Sequence, residues 1–587
     1  MERDALQGPR VLLGHQFRAL VGEGGAAGSA GVVGDDILEA VVIGGGPAGS
    51  ATARLLALWG HSVVLLTRPP TGHPALAESV PPSARKLFTL LGVAQKIDEA
   101  GFFAARGNLV RWADAPLRRA DFAPGTVGHH VLRDAFDALL LDLAEEAGAE
   151  VRRDARVRRV VRAGAAGDGG DPRQRVEYED ARGAGATLRS RFVLDCSGRS
   201  GVIANPELRV HDQSNATVAL AGIWRSNADA PPAEPYTLVE SYRDGWAWSM
   251  PVSDTRRYLT MMIDPRRTRL LRGKGRRRLY LAELEKTREV RRLVADAHLA
   301  SDISGHTASQ YTASQFAGDG LLLVGDAGSF IDPLASVGVK KALASAWLAA
   351  VTVHTCISTP DMHDVALEFF ESRERETWLA HRRHTARYYR EAAAAHGHGF
   401  WSARAEAAGG IPAPAPSAQL TRASGASASH VPAAGESAST DPGHAPALDP
   451  AHTPALDLSA EVHIPVPTEP DIAALRRDPD VLQAFSDLRA APAIRLRPAA
   501  GLRRLQLPAV RGRRIVLDEH LASPALPDGV RFLRDIDLPP LVAMAGRHDQ
   551  VPDLYQAYLD RVATVSLPDF LGALSVLLGK GMLKNDL

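Results

Sequence analysis

The sequence has little cysteine, no long apolar run and no net charge, and each absence excludes a class of protein. Its 587 residues include two cysteines, Cys196 and Cys356, which excludes a disulfide framework and a cysteine-rich metal site, and we expect no metal. Lysine plus arginine and aspartate plus glutamate both number 68, so no overall field attracts nucleic acid or an anionic membrane. No run of about 18 uncharged apolar residues is present, and the N-terminus lacks the apolar core of a signal peptide. We therefore expect a cytoplasmic protein that binds neither nucleic acid nor membrane.

Composition divides the chain into four parts. We predict a flexible leader over 1–36, a main body over 37–402, a disordered linker over 403–462 and a C-terminal accessory domain over 463–587. The linker has hardly a large apolar residue, so it cannot bury enough surface to offset the entropy of ordering. The C-terminal "SLPDFLGALSVLLGKGMLKNDL" suggests the last helix and wing of a winged-helix-like fold.

The main body opens with a strand, a helix and a second strand. "EAVVIGGG" and "HSVVLLTR" are apolar strand patterns, and "PAGSATARLLALWG" between them is typical of a helix. Further along, "ATVALAGIWRS", "YTLVESYRDGWAWSMPVS" and "RYLTMMID" indicate antiparallel strands. These patterns predict an α/β protein: a Rossmann-like domain with an antiparallel sheet inserted at about 206–309, followed by a helical extension.

The turn after the first strand carries glycines in G-x-G-x-x-G register, at Gly44, Gly46 and Gly49. The glycines permit a tight turn, close approach of backbone to a pyrophosphate and packing of the helix on the strand. The second strand ends in Thr67 and Arg68 instead of the acid that usually accepts hydrogen bonds from a ribose. Thr67 can make a weaker contact with the ribose. Arg68 either binds a 2′-phosphate, which would indicate NADP, or is a surface arginine. The turn alone does not name the cofactor.

Three further stretches carry a family resemblance. They are "RDAFDALLLDLAEEAGAEV", "FVLDCSGRSGVIA" and "GLLLVGDAGSFIDPLASVGVKKALASAWLAA". In this order and spacing they resemble the FAD-dependent monooxygenases of the p-hydroxybenzoate hydroxylase type and, more closely, the flavin-dependent halogenases, over about residues 37–400. The resemblance implies that Asp326 faces the ribityl chain of FAD, that amides of 333–339 approach the isoalloxazine, and that Arg133 lies near the phosphates or adenosine. The implied FAD-binding residues are Gly44, Gly46, Pro47, Ala48, Gly49, Thr67, Arg133, Gly325, Asp326, Pro333, Gly338 and Val339.

Two tryptophans form a second resemblance. "GWAWSMPVS" places Trp246, Trp248 and Pro251 in a pattern similar to the W-x-W-x-I-P signature of the halogenases. Alternation puts both indoles on one face of a strand. There they would separate the flavin from substrate and water. The alternative is that both are core residues of the inserted sheet. Ser336 and Gly338 match the halide-binding region of the family, although the same backbone binds flavin in relatives that do not halogenate.

A missing lysine determines the expected reaction. Tryptophan halogenases use a lysine to carry the oxidised halogen, and we place it in the stretch matching "GFFAARGNLVRWAD", which holds Arg106 and Arg111 but no lysine. A guanidinium stays protonated and is a poor nucleophile. We therefore expect a monooxygenase that forms a flavin C4a-hydroperoxide and oxygenates an indole or phenol, free or bound to a carrier or peptide. NAD(P)H or a partner flavin reductase would supply electrons. A halogenase, a geranylgeranyl-type isoprenoid reductase and a non-catalytic flavin-binding protein remain alternatives.

Overall fold

The computed structural model covers most of the predicted body and accessory domain. The described residues are 37–69, 76–162, 173–204, 208–211, 216–227, 229, 231–268, 274–318, 320–407, 472–490 and 493–586. The predicted leader and the predicted linker from 408 onward lie outside them. Residues 403–407 were assigned to the linker but end a helix. The reason is Arg404, whose buried guanidinium lies 3.7 Å from the ring centroid of Phe400 and donates to the Ala216 carbonyl at 2.7 Å.

The described residues form two compact units. Among the described residues, the larger unit takes those within 37–353 and 367–407, and the smaller unit takes those within 354–366 and 472–586. The α-helices are α1 (Pro47–Leu58), α2 (Arg85–Leu90), α3 (Ala94–Glu99), α4 (Arg133–Glu146), α5 (Lys274–Leu284), α6 (Glu289–Leu293), α7 (Gly338–Ser358), α8 (His363–His396), α9 (Gly399–Ala407), α10 (Ile472–Leu475), α11 (Pro479–Ala490), α12 (Leu538–Ala545), α13 (Val551–Arg561) and α14 (Leu567–Gly579). None of them combines the length and the apolar character needed to cross a bilayer.

The strands of the larger unit run from β1 to β22, and those of the smaller unit from β23 to β29. The first set is β1 (Leu38–Ile43), β2 (Val63–Leu66), β3 (Ala77–Val80), β4 (Phe103–Ala105), β5 (Gly107–Arg111), β6 (Arg118–Asp121), β7 (Gly128–Leu132), β8 (Glu150–Arg152), β9 (Arg156–Val161), β10 (Gln174–Glu179), β11 (Gly185–Asp195), β12 (Arg209–His211), β13 (Val218–Ser226), β14 (Tyr236–Tyr242), β15 (Gly245–Pro251), β16 (Arg256–Ile263), β17 (Ala297–Leu299), β18 (Ser304–Thr307), β19 (Tyr311–Ala313), β20 (Ala317–Gly318), β21 (Leu321–Leu323) and β22 (Ser329–Phe330). The second set is β23 (Leu496–Pro498), β24 (Arg503–Arg511), β25 (Arg514–Ser523), β26 (Leu526–Val530), β27 (Phe532–Leu533), β28 (Ile536–Asp537) and β29 (Leu583–Asn585).

A mixed sheet forms the centre of the larger unit, and its strands β21, β11, β1, β2 and β8 are parallel. Its strand order is β20-β21-β11-β1-β2-β8, with β10 and β9 continuing from β11. β2 and residues 40–43 of β1 are apolar, as expected where both faces of a parallel sheet are covered, and Val41, Val42 and Leu65 are fully buried. The predicted Rossmann-like opening is confirmed.

The inserted sheet is also confirmed, although it is larger than predicted. Its order is β17-β13-β16-β15-β14-β5-β6, with β18 also pairing with β13. The sequence prediction omitted β5 and β6, which precede the insertion by about a hundred residues. β5 joins because it pairs in parallel with β14, an interaction between distant segments that no local pattern encodes. Two three-stranded sheets, β3-β7-β4 and β12-β19-β22, complete the larger unit.

The smaller unit packs helices around its own apolar core. Phe570, Leu574 and Leu577 of α14 are fully buried, as are Leu554 and Tyr558 of α13. Beside them lie the sheet β24-β25-β26 and the strand pair β23-β29. α14 and the short strand β29 lie where the last helix and wing are predicted, while the winged-helix assignment stays a prediction.

Candidate active site

The site lies where the central parallel strands end. Ile43, the last residue of β1, pairs with Leu66 of β2 and Asp195 of β11, and Asp195 pairs with Leu323 of β21. Because these four strands are parallel and in register, the turns that follow them meet at one edge of the sheet. Ligands of open α/β sheets bind outside this edge.

The turn between β1 and α1 brings backbone segments into close contact. A Cβ on Gly44 would lie 2.5 Å from the Cys196 carbonyl oxygen, and a Cβ on Gly49 would lie 1.8 Å from the Gly44 carbonyl oxygen. Gly44 also has a φ of 111°, which favours glycine. α1 then begins at Pro47, which has no amide hydrogen to leave unpaired. The positive end of α1 thus stands at the strand edge, where it favours an anion.

Arg133, the first residue of α4, is a fixed cation beside this turn. Its Nε and Nη2 donate to the two carboxylate oxygens of Asp137 at 2.8 and 2.9 Å, and its Nη1 is 3.6 Å from Glu78 Oε1. Burial acts to lower the pKa of Arg133, but Asp137 and Glu78 raise it above its ordinary value. Burial raises the pKa of Glu78, and the guanidinium of Arg133 opposes this.

Thr67 and Arg68 follow β2 at the same edge. The Thr67 amide donates to the Arg152 carbonyl at 3.1 Å, and the Ala155 amide donates to the Thr67 carbonyl at 2.9 Å, so the backbone is held on both sides. A Cβ on Gly45 would lie 2.6 Å from Thr67 Oγ1. The hydroxyl of Thr67 therefore lies against the glycine turn.

The turn after β21 presents Asp326. Gly325–Ala327 is a single 3₁₀ turn, and Gly325 has a φ of 63°. The Asp326 carbonyl accepts from the Tyr311 hydroxyl at 2.6 Å and from Arg209 Nη2 at 3.4 Å. These contacts fix the backbone of the turn, while the Asp326 side chain is partly exposed and lines the cavity described below.

A second 3₁₀ turn, Pro333–Ala335, precedes α7. Asp332 caps it, because the carboxylate accepts from the Leu334 amide at 3.0 Å, the Gln310 side-chain amide at 2.9 Å and the Tyr389 hydroxyl at 2.6 Å. Burial raises the pKa of Asp332, and the hydrogen bond from Tyr389 opposes this.

The chain then passes through Ser336, at a φ of 49°, into α7, which begins at Gly338. A Cβ on Gly338 would meet no protein atom within 4 Å, so this glycine leaves open space at the start of the helix.

One cavity of about 1080 Å³ joins these turns to the inserted sheet. Gly49 and Gly325 do not line it, because their role is in backbone packing. The other predicted site residues do line it: Gly44, Gly46, Pro47, Ala48, Thr67, Arg133, Asp326, Pro333, Ser336, Gly338, Val339, Trp246 and Trp248. The lining side chains from the inserted sheet are Ala219, Ala221, Val239, Tyr258, Thr260, Met262 and His306.

Strand register explains which sheet residues face the cavity. Trp246 pairs with Met262, and Trp248 pairs with Thr260. Across the next strand, Met262 pairs with Ala219. Cavity-lining residues thus recur at every second position, as expected for one face of a sheet.

The two tryptophans share the predicted face but differ in environment. Trp246 is only 1% exposed and packs edge-on to Trp112, with 6.4 Å between ring centroids, so it is also a core residue. Trp248 is half-buried, and its ring centroid lies 6.0 Å from that of Tyr258. Trp246 is therefore both a core residue and part of the cavity wall, and its role as a barrier stays a prediction.

The stretch 101–114, on which the lysine argument depended, lies elsewhere. None of its residues lines the cavity: Arg111 Nε is 3.9 Å from Glu240, and the Arg106 amide donates to the Pro235 carbonyl at 2.8 Å. That stretch forms β4 and β5 instead, so its lack of lysine carries no information about the chamber. The described lining itself, however, contains no lysine.

Comparison with known proteins identifies the family. Residues 38–354, more than half of the chain, match the family described as the FAD binding domain. The chain belongs to this family. It is 32% identical over 344 residues to a tryptophan 2-halogenase of Chondromyces crocatus, a match covering 56% of this chain and 64% of that protein. The match therefore spans slightly less than two thirds of that relative's length.

Solved structures agree in fold. CmlS, a flavin-dependent halogenase, superposes with a TM-score of 0.66 at 21% identity, covering 94% of this chain and 96% of that one. The peptidyl tryptophan dihydroxylase QhpG superposes with a TM-score of 0.58 at 22% identity, covering 93% of this chain and 100% of that one. The predicted FAD-binding domain and the predicted α/β fold are thereby confirmed, while the activity of the protein is taken up below as a proposal.

The cavity residues fit FAD. A helix N-terminus and the fixed Arg133 suit a pyrophosphate, and hydroxyl and carboxylate acceptors at Thr67 and Asp326 suit sugar and ribityl hydroxyls. Gly46 and Gly338 line the cavity without side chains, and an added Cβ on Gly46 would have only Arg133 and Asp137 within 4 Å.

Several site residues were not found from sequence. Glu78, Tyr258, Thr260, His306 and Asp332 line the cavity. Asp332 had a signal, the Asp-Pro pair before a helix. The others lie in strands that only tertiary pairing brings to the cavity.

Proposed function

We propose that the protein is an FAD-dependent enzyme that oxidises an electron-rich aromatic substrate, with halogenation as the first candidate reaction. The observation that carries this proposal is the single cavity that runs from the glycine turn of α1 to the tryptophan face of the inserted sheet. A cofactor bound at one end of the cavity would face an aromatic substrate held in the apolar chamber at the other end.

Each region of the cavity has a proposed role. Gly44, Gly46 and the start of α1 bind the pyrophosphate, and Arg133 neutralises part of its charge. Thr67 accepts from the adenosine ribose, and Asp326 accepts from ribityl hydroxyls. The start of α7, with Pro333, Gly338 and Val339, contacts the flavin ring, where the positive helix end stabilises negative charge. These roles agree with those that the family resemblance implies.

When bound and reduced, FAD supplies the activation of dioxygen. The chain's own residues then orient the substrate and exclude water, which the apolar side chains Val239, Met262 and Trp248 are suited to do. We propose that NAD(P)H supplies the electrons through a partner flavin reductase, because one dinucleotide-binding βαβ unit is found among the described residues. The aromatic substrate is an indole or a phenol, free or carried on a peptide or carrier.

Halogenation is the first candidate because the relative from Chondromyces crocatus is named a tryptophan 2-halogenase. In this case Ser336 and Gly338 would hold the halide. Oxygenation is the second candidate, and the lysine-free described lining favours it, since no amine is placed there to carry an oxidised halogen. An isoprenoid reductase and a non-catalytic flavin protein stay alternatives, and neither would give a halogenated or oxygenated product in the experiment below.

The test is turnover of the purified protein with FAD, a flavin reductase and NADH. Probe substrates are L-tryptophan, N-acetyltryptophanamide and phenol, each in chloride, bromide and halide-free buffer. Mass spectrometry that shows a chlorine or bromine isotope pattern supports the first candidate, and a halide-independent gain of one oxygen supports the second. NADH consumption that yields hydrogen peroxide alone, with every probe and in every buffer, contradicts both.

Trp248 provides a test of water exclusion. Trp248→Leu replaces a half-buried indole of the cavity wall by a smaller side chain and lets water reach the flavin. We therefore expect more hydrogen peroxide released per NADH consumed than in the wild type. Trp59→Leu, at the far end of α1 and outside the cavity lining, is the matched control. An unchanged peroxide yield in Trp248→Leu contradicts the barrier role.

A further inference from the structure

A buried lysine lies behind the turn that presents Asp326. The side chain of Lys341, in the first turn of α7, is 1% exposed and does not line the cavity. Its ammonium donates to the Gly325 carbonyl at 3.1 Å and to the Ser329 carbonyl. The ammonium nitrogen is also 3.6 Å from Asp326 Oδ1. Three oxygens from one short segment thus surround this cation.

Ser345, one helical turn further along α7, binds the amide side of Gly325. Its hydroxyl accepts from the Gly325 amide at 2.8 Å. Because residues four apart lie on one face of a helix, Lys341 and Ser345 together fix both the carbonyl and the amide of Gly325. Gly325 immediately precedes Asp326, so α7 sets the orientation of the carboxylate that faces the cavity.

The groups on α8 that face this cluster, which are Glu371, Glu374 and His381, add no second cation to it. Burial raises the pKa of Glu374 to about 7, and Lys341 and the Ser345 hydroxyl oppose this. Burial lowers the pKa of His381 to about 3, so this imidazole is neutral at pH 7. Glu371, which also faces Glu374, accepts from the backbone amide of Phe316.

We propose that Lys341 is a positioning residue that orients Asp326 toward FAD and raises the reduction potential of the bound flavin. The inference rests on the FAD site of the proposed function and adds to it a charged residue outside the cavity. A fixed ammonium behind the flavin-binding turn favours the added negative charge of reduced FAD more than the neutral oxidised ring, since a buried charge is weakly screened.

Lys341 is not placed to carry an oxidised halogen to substrate. Its ammonium is surrounded by three protein oxygens and is separated from the cavity by the Gly325–Ala327 turn. A halogen carrier must reach the substrate chamber, whereas Lys341 reaches only the back of the turn. Its effect on the reaction is therefore exerted through Asp326 and through its charge.

The test compares Lys341→Met and Lys341→Gln with the wild type and with Lys340→Met, which removes the same charge from the preceding residue. Oxidised FAD affinity is measured by quenching of flavin fluorescence, and the midpoint potential of the bound flavin by dye-coupled reductive titration. In both Lys341 variants we expect oxidised FAD to bind about tenfold more weakly, and reduced FAD a further tenfold more weakly. That further tenfold corresponds to a midpoint potential about 30 mV lower. Lys340→Met should match the wild type.

Three outcomes would overturn the proposal. Unchanged FAD affinity in Lys341→Gln would show that Lys341 does not position Asp326. Weaker binding of both redox forms by the same factor, with an unchanged midpoint potential, would leave only a structural role. An equal fall in potential in Lys340→Met would show that location does not matter. A wild-type protein that takes up no FAD would instead contradict the proposed function, so the two failures are distinguishable before any substrate is added.

Discussion

Asp326 is the residue at which the sequence motif and the site geometry agree most directly. Its backbone is fixed by Tyr311 and Arg209, and its carboxylate is left to face the cavity. We expect Asp326→Ala to weaken FAD binding by about 1–3 kcal/mol, the usual effect of losing a hydrogen bond to a charged acceptor. Equilibrium titration with FAD measures this, with Asp142→Ala on the exposed face of α4 as the control. Equal affinities in the two variants would remove Asp326 from the site.

His130 makes stability depend on pH at the residue scale. Its Nδ1 donates to the Pro251 carbonyl at 2.9 Å, and its Nε2 lies 2.9 Å from the Thr237 hydroxyl, so both ring nitrogens of a buried side chain have partners. Burial lowers the pKa of His130 to about 3, below its ordinary value near 6.5. Between these values the unfolded chain binds one more proton, so the free energy of unfolding falls as pH falls, by about 1.4 kcal/mol per pH unit from this group.

We therefore expect His130→Gln to lose less stability than the wild type on acidification. Between pH 6.5 and 5 the stability gap between the two proteins should shrink by about 2 kcal/mol. Urea unfolding followed by tryptophan fluorescence at both pH values measures it. His298→Gln, an exposed residue of β17, should keep the wild-type slope. Parallel pH dependence in wild type and His130→Gln would contradict a neutral, buried His130.

At the scale of elements, the junction between β1 and α1 depends on the absence of side chains. A Cβ on Gly49 would overlap the Gly44 carbonyl oxygen, so Gly49→Ala must move the helix away from the strand. We expect a loss of about 1–3 kcal/mol in stability, as for an overpacked core, together with weaker FAD binding because α1 is displaced. Thermal unfolding and FAD titration measure the two effects.

Gly185→Ala is the matched control, since no heavy atom lies within 4 Å of a Cβ built there. A Gly49→Ala protein with wild-type melting temperature and affinity would show that the close contact at this junction is not required.

At the scale of the whole molecule, the smaller unit takes chain segments from both sides of residues 408–471. The Ile515 amide donates to Thr355 Oγ1 at 2.9 Å, which ties the 354–366 segment to β25. Composition predicts that proteases cut first at about 410–460. We expect the two fragments to remain associated after cleavage and the FAD to stay bound to the N-terminal one. Size-exclusion chromatography of the nicked protein tests this, and separate elution of the fragments, or immediate loss of flavin, contradicts it.

The sequence by itself determined the features that depend on neighbouring residues. The apolar strand, the glycine turn and the helix beginning at Pro47 are local, because strand and helix periods and the φ preference of glycine act over a few residues. The same holds for the Gly-Asp-Ala turn, the Asp-Pro turn before α7 and the alternation that places Trp246 and Trp248 on one face. These features predict the α/β fold, and the resemblance of their motifs to a known family implies FAD.

Only the tertiary structure decided which distant residues share the cavity. Glu78 reaches Arg133, and His306 reaches the tryptophan face, through strand pairing between segments far apart in sequence. The stretch 101–114 contributes β5, which pairs with β14, and none of its residues lines the chamber. Its sequence alone does not show this. Lys341 looks like an ordinary helix residue in the sequence, and its burial behind Gly325 follows from how α7 packs against the turn. Local patterns specify elements, whereas long-range packing specifies which of their side chains meet.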